Sequence, residues 1–236
     1  MNREIIGLLI GLTTLILIFV GEYAVALGVC VLSFFMAREL LSVFDIKSAH
    51  VFVPFITLSS WIDPSFGIFL SFLFCFMYGY GKWSIEVFFK VFFVGIYAGV
   101  LPSFLILIRK EGFNELLSLV ITVWAVDITA YYIGRKFGSV PLAPRLSPHK
   151  TMEGFWAGLI SAIIVFPLVS QMGILKSLIT GLIIGISAVI GDLLKSFIKR
   201  QLNIKDFSNI FGEHGGFVDR FDSLVFTSAL YYSILL

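Results

Sequence analysis

Between its last two apolar stretches the chain carries its densest run of chemically useful side chains. From Ser196 to Asp222 it reads S-F-I-K-R-Q-L-N-I-K-D-F-S-N-I-F-G-E-H-G-G-F-V-D-R-F-D, with Asp192 and Lys195 just upstream. The carboxylates Asp192, Asp206, Asp219 and Asp222, with Glu213, stand among the cations Lys195, Lys199, Arg200, Lys205 and Arg220. Carboxylate oxygens hold hard divalent cations, and ammonium and guanidinium groups neutralise phosphate. A Gly-Gly pair lets backbone N–H groups come close to an anion. Together these residue types suit a site that handles metal-bound phosphates.

Spacing sharpens that reading. Asp192, Lys195, Ser196 and Lys199 are three, four and seven residues apart and share one helix face. The plainer account is a helix end leaving a membrane with an internal ion pair, which contributes little when exposed. Asp219 and Asp222 are three apart at the start of the last apolar segment. Carboxylates there also complement the helix dipole, but His214-Gly215-Gly216 immediately before them favours a phosphate loop. Asp127 lies inside the apolar run W-A-V-D-I-T-A-Y-Y, with Tyr131 on its face. An ionisable residue there is costly and is a functional candidate by default, unless a neighbouring helix satisfies it. In Leu146–Gly154, the Ser147 and Thr151 hydroxyls and Lys150 could hold phosphate, and Glu153 could join a metal. Helix capping is the equally simple role for Thr151 and Glu153. His149 has no partner visible in the sequence.

The elements that must position these residues are membrane helices. The chain has 236 residues, is 58% hydrophobic and only 14% charged, and has a mean hydropathy of +1.00. Soluble domains run to about a quarter charged. An all-α polytopic membrane protein is expected, with apolar segments near 5–20, 23–43, 50–61, 66–80, 86–108, 113–134, 154–171, 174–198 and 217–236. The segment at 50–61 is short and could be re-entrant rather than spanning. With nine spans and a cytoplasmic N-terminus, Lys and Arg divide 14 to 3 in favour of the cytoplasmic side; without the third crossing they divide 11 to 6. Either way the polar connections 135–153 and 199–216 share the more basic side. The apolar start reads as a span rather than a cleaved leader, because apolar sequence continues to Leu41. A division into 1–82, 83–153 and 154–236 separates N-terminal helices, a middle region with Asp127 and the 147–154 loop, and a C-terminal catalytic region. Net charge is +2 without a basic-aromatic tract, which argues against nucleic acid. Cys30 and Cys75 sit in apolar segments as packing residues.

Ser196 to Asp222 resembles the signature of the phosphatidate cytidylyltransferase (CDP-diacylglycerol synthase) family. That pattern runs S-x-x-K-R, four residues, K-D, a short spacer, then H-G-G-x-x-D-R-x-D. Ser196, Lys199-Arg200, Lys205-Asp206, His214-Gly215-Gly216, Asp219-Arg220 and Asp222 fall in register. Asp127 with Ala130-Tyr131 and Gly134, then Ser147-Pro148, Lys150-Thr151 and Glu153-Gly154, resemble a second block of the same family. The resemblance covers Trp124 to the C-terminus; the earlier segments match only in being hydrophobic. One departure is Gly212-Glu213, where members often carry Pro-Gly.

The resemblance implies that CTP and phosphatidic acid give CDP-diacylglycerol and pyrophosphate. It also implies Mg2+ dependence, room for a second, monovalent cation such as K+, and a homodimer. On that basis Asp192 and Asp219 hold Mg2+. Asp222 is a further ligand or orients Arg220. Lys199, Arg200, Lys205 and Arg220 neutralise phosphates. His214, Gly215 and Gly216 wrap the nucleotide phosphates, while Ser147, Lys150, Thr151 and Ser196 line the cavity. Asp127, Glu153 and Asp206 support them. A bacterial inner membrane with a cytoplasm-facing site fits both substrates. The rivals are an isoprenoid-lipid cytidylyltransferase or kinase, and a transporter. The complete signature argues against the kinases. The transporter should show paired broken helices, and no internal repeat is evident.

Overall fold

A backbone surrounded by lipid must satisfy its own hydrogen bonds, so apolar segments fold as helices. The computed structural model describes residues 3–46, 48–212 and 215–235. Its helices are α1 (Arg3–Val20), α2 (Glu22–Val43), α3 (Val53–Ile62), α4 (Pro64–Lys82), α5 (Ile85–Val94), α6 (Leu101–Glu111), α7 (Phe113–Phe137), α8 (Met152–Val169), α9 (Ile174–Gln201) and α10 (Phe217–Leu235). A 3-10 turn, Ala49–Phe52, leads into α3, and a π-helical segment, Gly95–Val100, joins α5 to α6. Among the described residues, each expected apolar segment therefore falls on helix apart from residues at its ends. Among the described residues six helical stretches are long and apolar enough to cross a membrane: α2, α4, α5 through α6, α7, α8 and α9. The protein is an all-α polytopic membrane protein.

The chain forms two compact units. The first is Met1–Glu111 with Asp206–Arg220; the second is Gly112–Lys205 with Phe221–Leu236. In the first unit, α2 packs on α3 and α6, and α3 packs on α4. Ala49–Ile62 is the short third segment, and its turn plus helix rise roughly 23 Å, less than the ~30 Å of a hydrocarbon core. It is tied inward by polar contacts. Thr57 Oγ1 lies 2.7 Å from Ser33 Oγ and 3.0 Å from the Gly99 carbonyl oxygen. That carbonyl belongs to the π-helical segment, where the ordinary helical ladder is interrupted. Asp63 separates α3 from α4: its carboxylate accepts from Ser65 N at 2.7 Å and Phe66 N at 3.3 Å, and Pro64 follows as the first residue of α4.

In the second unit α7, α8 and α9 pack together, and Val126, Ala162 and Ala188 form a core cluster with one residue from each helix. Small residues make the approach close; a Cβ on Gly154 would stand 2.6 Å from the Ala130 carbonyl oxygen. The opposite face of α8 carries Trp156, Ile160, Ile164 and Leu168, four residues apart and all more than half exposed. An oily stripe facing outward marks a bilayer as the solvent. Cys75 is buried and Cys30 partly so, both as free thiols in packing positions.

The connection between α7 and α8 holds an element that sequence patterning did not suggest. Strands β1 (Pro141–Ala143) and β2 (Ser147–Thr151) pair antiparallel, with Pro141 opposite Thr151 and Ala143 opposite Ser147. Neither strand alternates apolar with polar residues, so periodicity carries no strand signal here.

Candidate active site

The second unit brings residues from both sequence blocks into one ion-pair cluster centred on an ammonium group. Lys195 Nζ lies 3.0 Å from Asp192 Oδ1 and 3.0 Å from Asp222 Oδ2. Lys150, at the end of the hairpin, places its Nζ 2.5 Å from Asp192 Oδ2 and 3.4 Å from Ser196 Oγ. Ser196 Oγ donates in turn to the Asp192 carbonyl oxygen at 2.8 Å. Asp127 on α7 is within electrostatic reach of Asp222, Asp192, Lys195 and Lys150. Two carboxylates thus pair with two ammonium groups, and Asp127 lies within electrostatic reach of all four. The Asp222 side chain is 4% exposed and Lys195 13%, whereas Asp192 retains 32%. Asp192 is the more exposed acidic member of the Lys195 bridge, with Oδ1 on Lys195 and Oδ2 on Lys150.

Local sequence explains how the cluster is built. Asp192 and Lys195 are neighbours on one turn of α9. Gly191 lets α10 come against α9 at that level: a Cβ there would lie 2.9 Å from Phe226 Cβ and 3.2 Å from the Asp222 carbonyl oxygen. Lys150 is held by the hairpin. Thr151 caps α8, its Oγ1 accepting from Gly154 N at 3.2 Å. Glu153 accepts from the Ser139 hydroxyl, from Ser139 N at 3.0 Å and from Val140 N at 3.3 Å, which pins the backbone just before β1. Arg200 Nε donates to the Leu146 carbonyl oxygen at 3.0 Å, tying α9 to the same hairpin. Thr151 therefore does the capping that its type suggests, and Glu153 fastens the hairpin. Ser147 lies on β2 opposite Ala143. Lys199 is partly exposed and Lys205 exposed.

The rest of the signature lies in the first unit. Asp219 Oδ2 accepts from Gly216 N at 3.1 Å and Phe207 N at 3.2 Å, closing the start of α10 onto the loop before it. The glycine pair has a local cause. Gly215 has φ +74, and a Cβ there would stand 2.5 Å from Asp219 Oδ2. A Cβ on Gly216 would collide with the Glu39 carboxylate and the Ser208 hydroxyl. Asp206 is partly buried and Arg220 exposed. His214, with Glu213, lies outside the described residues.

Two side chains carry more of this geometry than their sequence positions suggest. Lys195 shares the polar stripe of α9, yet its link to Asp222 joins residues 27 positions apart on different helices. Glu39 sits in largely apolar α2, where the sequence signal was a carboxylate beside Arg38 in a hydrophobic run. Its oxygens accept from Phe217 N at 2.9 Å, Val218 N at 2.9 Å and Ser208 Oγ at 2.7 Å.

Among the described residues no three His, Cys, Asp or Glu side chains form a ready-made metal cage. The donor chemistry nevertheless suits Mg2+, which is commonly held by one or two carboxylates with phosphates and water completing its shell. Asp192 is such a carboxylate, partly exposed and with each oxygen held by a lysine, and Asp222 and Asp127 are close to the same charges.

A family model described as the cytidylyltransferase family matches residues 1–236. A phosphatidate cytidylyltransferase of Aquifex aeolicus (strain VF5) is 40% identical over 235 residues, covering 100% of this chain and 91% of that relative. Phosphatidate cytidylyltransferases of Bacillus subtilis (strain 168) and Brucella abortus biovar 1 (strain 9-941) are 35% and 40% identical over 148 and 143 residues. Those two alignments cover 59% and 58% of this chain and 55% and 53% of the relatives.

Proposed function

The chain belongs to the cytidylyltransferase family, and from that premise we propose that it transfers the cytidylyl group of CTP to phosphatidic acid. The products are CDP-diacylglycerol and pyrophosphate. The observation that carries the reading is the Lys150–Asp192–Lys195–Asp222 cluster, which unites both signature blocks. Its support from likeness is the full-length similarity to the Aquifex enzyme.

The reaction sets an electrostatic problem. A phosphate oxygen of phosphatidic acid attacks the α-phosphorus of CTP, and the bond from that phosphorus to the β-phosphate bridging oxygen breaks. Pyrophosphate leaves with the electron pair. The nucleophile is already an anion, so no general base or covalent enzyme intermediate is required. The protein must hold two anions together and stabilise the charge spreading onto the leaving group. Lys150 stands beside Asp192 and Ser196, positioned to bind a phosphate oxygen. Lys195 holds Asp192 and Asp222 against their mutual repulsion. Lys199, Arg200, Lys205 and Arg220 add positive charge for the triphosphate and lipid head group. Ser147 and Thr151 belong to the hairpin that presents Lys150. Asp192 would hold Mg2+, with Asp222 and Asp127 behind it; for Asp219 as a ligand, and for His214 to Gly216 as phosphate wrappers, the support is the sequence pattern alone. When bound, Mg2+ supplies neutralising charge to the phosphates. K+ as a second cation and a homodimeric assembly rest on the family resemblance.

The bacterial relatives support a bacterial inner membrane as its place, and the basic side of the topology with the cytosolic location of CTP supports a site toward the cytoplasm. The deciding experiment is pyrophosphate release by the purified protein in detergent micelles. Release that needs CTP, phosphatidic acid and Mg2+ together, with a CDP-lipid product, is expected. A folded preparation that releases none under varied monovalent cations rules the assignment out.

A further inference from the structure

Glu39 is a carboxylate buried to 3% exposure in the first unit, next to the exposed Arg38 in an otherwise largely apolar stretch of α2. A buried charge persists only where hydrogen bonds replace water. Here they come from one place. Oε1 accepts from Phe217 N and Ser208 Oγ, and Oε2 accepts from Val218 N. The first N–H groups of a helix have no partner within it. Asp219 takes Gly216 N, and Glu39 takes the next two. The start of α10 is thus capped from outside by a side chain 178 residues away from Phe217. Aromatic packing reinforces the contact: Phe35, one turn before Glu39, stacks on Phe217 with ring centroids 4.8 Å apart.

We propose that Glu39 is a positioning residue for the nucleotidyl transfer, acting through the signature loop. Its carboxylate fixes Ser208, Phe217 and Val218, and with them the direction in which Asp219 and Arg220 leave α10. The inference rests on the function proposed above. Gly216 is part of the same device, because only a residue without Cβ lets the loop backbone meet the Glu39 carboxylate. A neutral amide cannot replace Glu39. Gln has one acceptor oxygen, and its NH2 group would oppose the N–H of either Phe217 or Val218.

The test compares Glu39→Gln, Gly216→Ala and Glu115→Gln with the parent protein. Glu115 is a control in the second unit, where it accepts from the Tyr231 hydroxyl at 2.6 Å. Hydrogen exchange at Phe217 and Val218 should rise at least tenfold in Glu39→Gln, while exchange in α7 to α9 stays unchanged. For both loop variants kcat should fall roughly 10- to 100-fold and the Mg2+ concentration for half-maximal activity should rise. Glu115→Gln should keep the parental Mg2+ dependence and kcat even where its melting temperature falls. The proposal is overturned if either loop variant retains the parental kcat and Mg2+ dependence. It is also overturned if Glu39→Gln loses activity only in step with global unfolding, with exchange raised everywhere. A parent protein that makes no CDP-lipid defeats the functional assignment instead; the exchange result then still decides whether Glu39 holds the loop.

Discussion

At the scale of single residues, the central object is Lys195 between two aspartates. Removing one partner of a buried ion pair leaves an uncompensated charge and typically costs about 3–5 kcal/mol. Lys195→Met should therefore lower stability by a few kcal/mol, read as an earlier unfolding midpoint, because Asp222 is almost fully buried. Adding Asp222→Leu to Lys195→Met should recover much of that loss while turnover stays absent. A double variant no more stable than the single one would show that the pair is not what holds the helices. Asp192 differs, since it is partly open to solvent and shared by two lysines. Asp192→Asn should reduce turnover by about 100-fold or more, the scale of a lost electrostatic stabiliser, with insertion and melting near those of the parent. Full activity in that variant would remove Asp192 from the metal assignment.

At the scale of elements, the cluster depends on how closely helices approach and on how the hairpin is fastened. Gly191 sits where α10 meets α9, and a β-carbon there meets Phe226 and the Asp222 backbone. Gly191→Val should push Asp222 away from Lys195, lowering both turnover and the melting temperature in detergent; overpacking of this kind typically costs about 1–3 kcal/mol. Thr151→Ala removes a helix cap worth about 1 kcal/mol and also loosens the strand that carries Lys150. Its expected signature is a rise in KM for CTP larger than the fall in kcat. Unchanged kinetics would place Lys150 outside the binding machinery. The hairpin itself was not legible in periodicity, since S-P-H-K-T has no alternation and its pairing is with residues several positions upstream. Capping by Thr151 was legible, because a cap is a local interaction.

At the scale of the whole molecule, the sequence predicts membrane sidedness. One apolar segment, α7, separates Lys110 from Arg145. Whether or not Ala49–Ile62 crosses the bilayer, those two positions should lie on opposite sides. Single cysteines at 110 and 145, in a background with Cys30 and Cys75 replaced, should label from opposite faces of sealed vesicles, with 145 on the cytoplasmic face. Labelling of both from one face would refute α7 as a span.

Membrane class and helix positions were present in the linear chain, and so were the residue types of the candidate site. Apolar runs dictate helices because lipid offers no hydrogen-bond partners, and the signature residues reveal themselves through type and close spacing. Contacts between distant segments were not present in that form. Local periodicity states which face of a helix a residue occupies, not what will meet that face. Only folding made Lys195 the bridge between Asp192 and Asp222, brought Lys150 to the same carboxylate, and set Glu39 against the start of α10. The physical reason is the same in each case. A buried charge is tolerable only with specific partners, and those partners come from whichever elements the packing of small residues allows to touch.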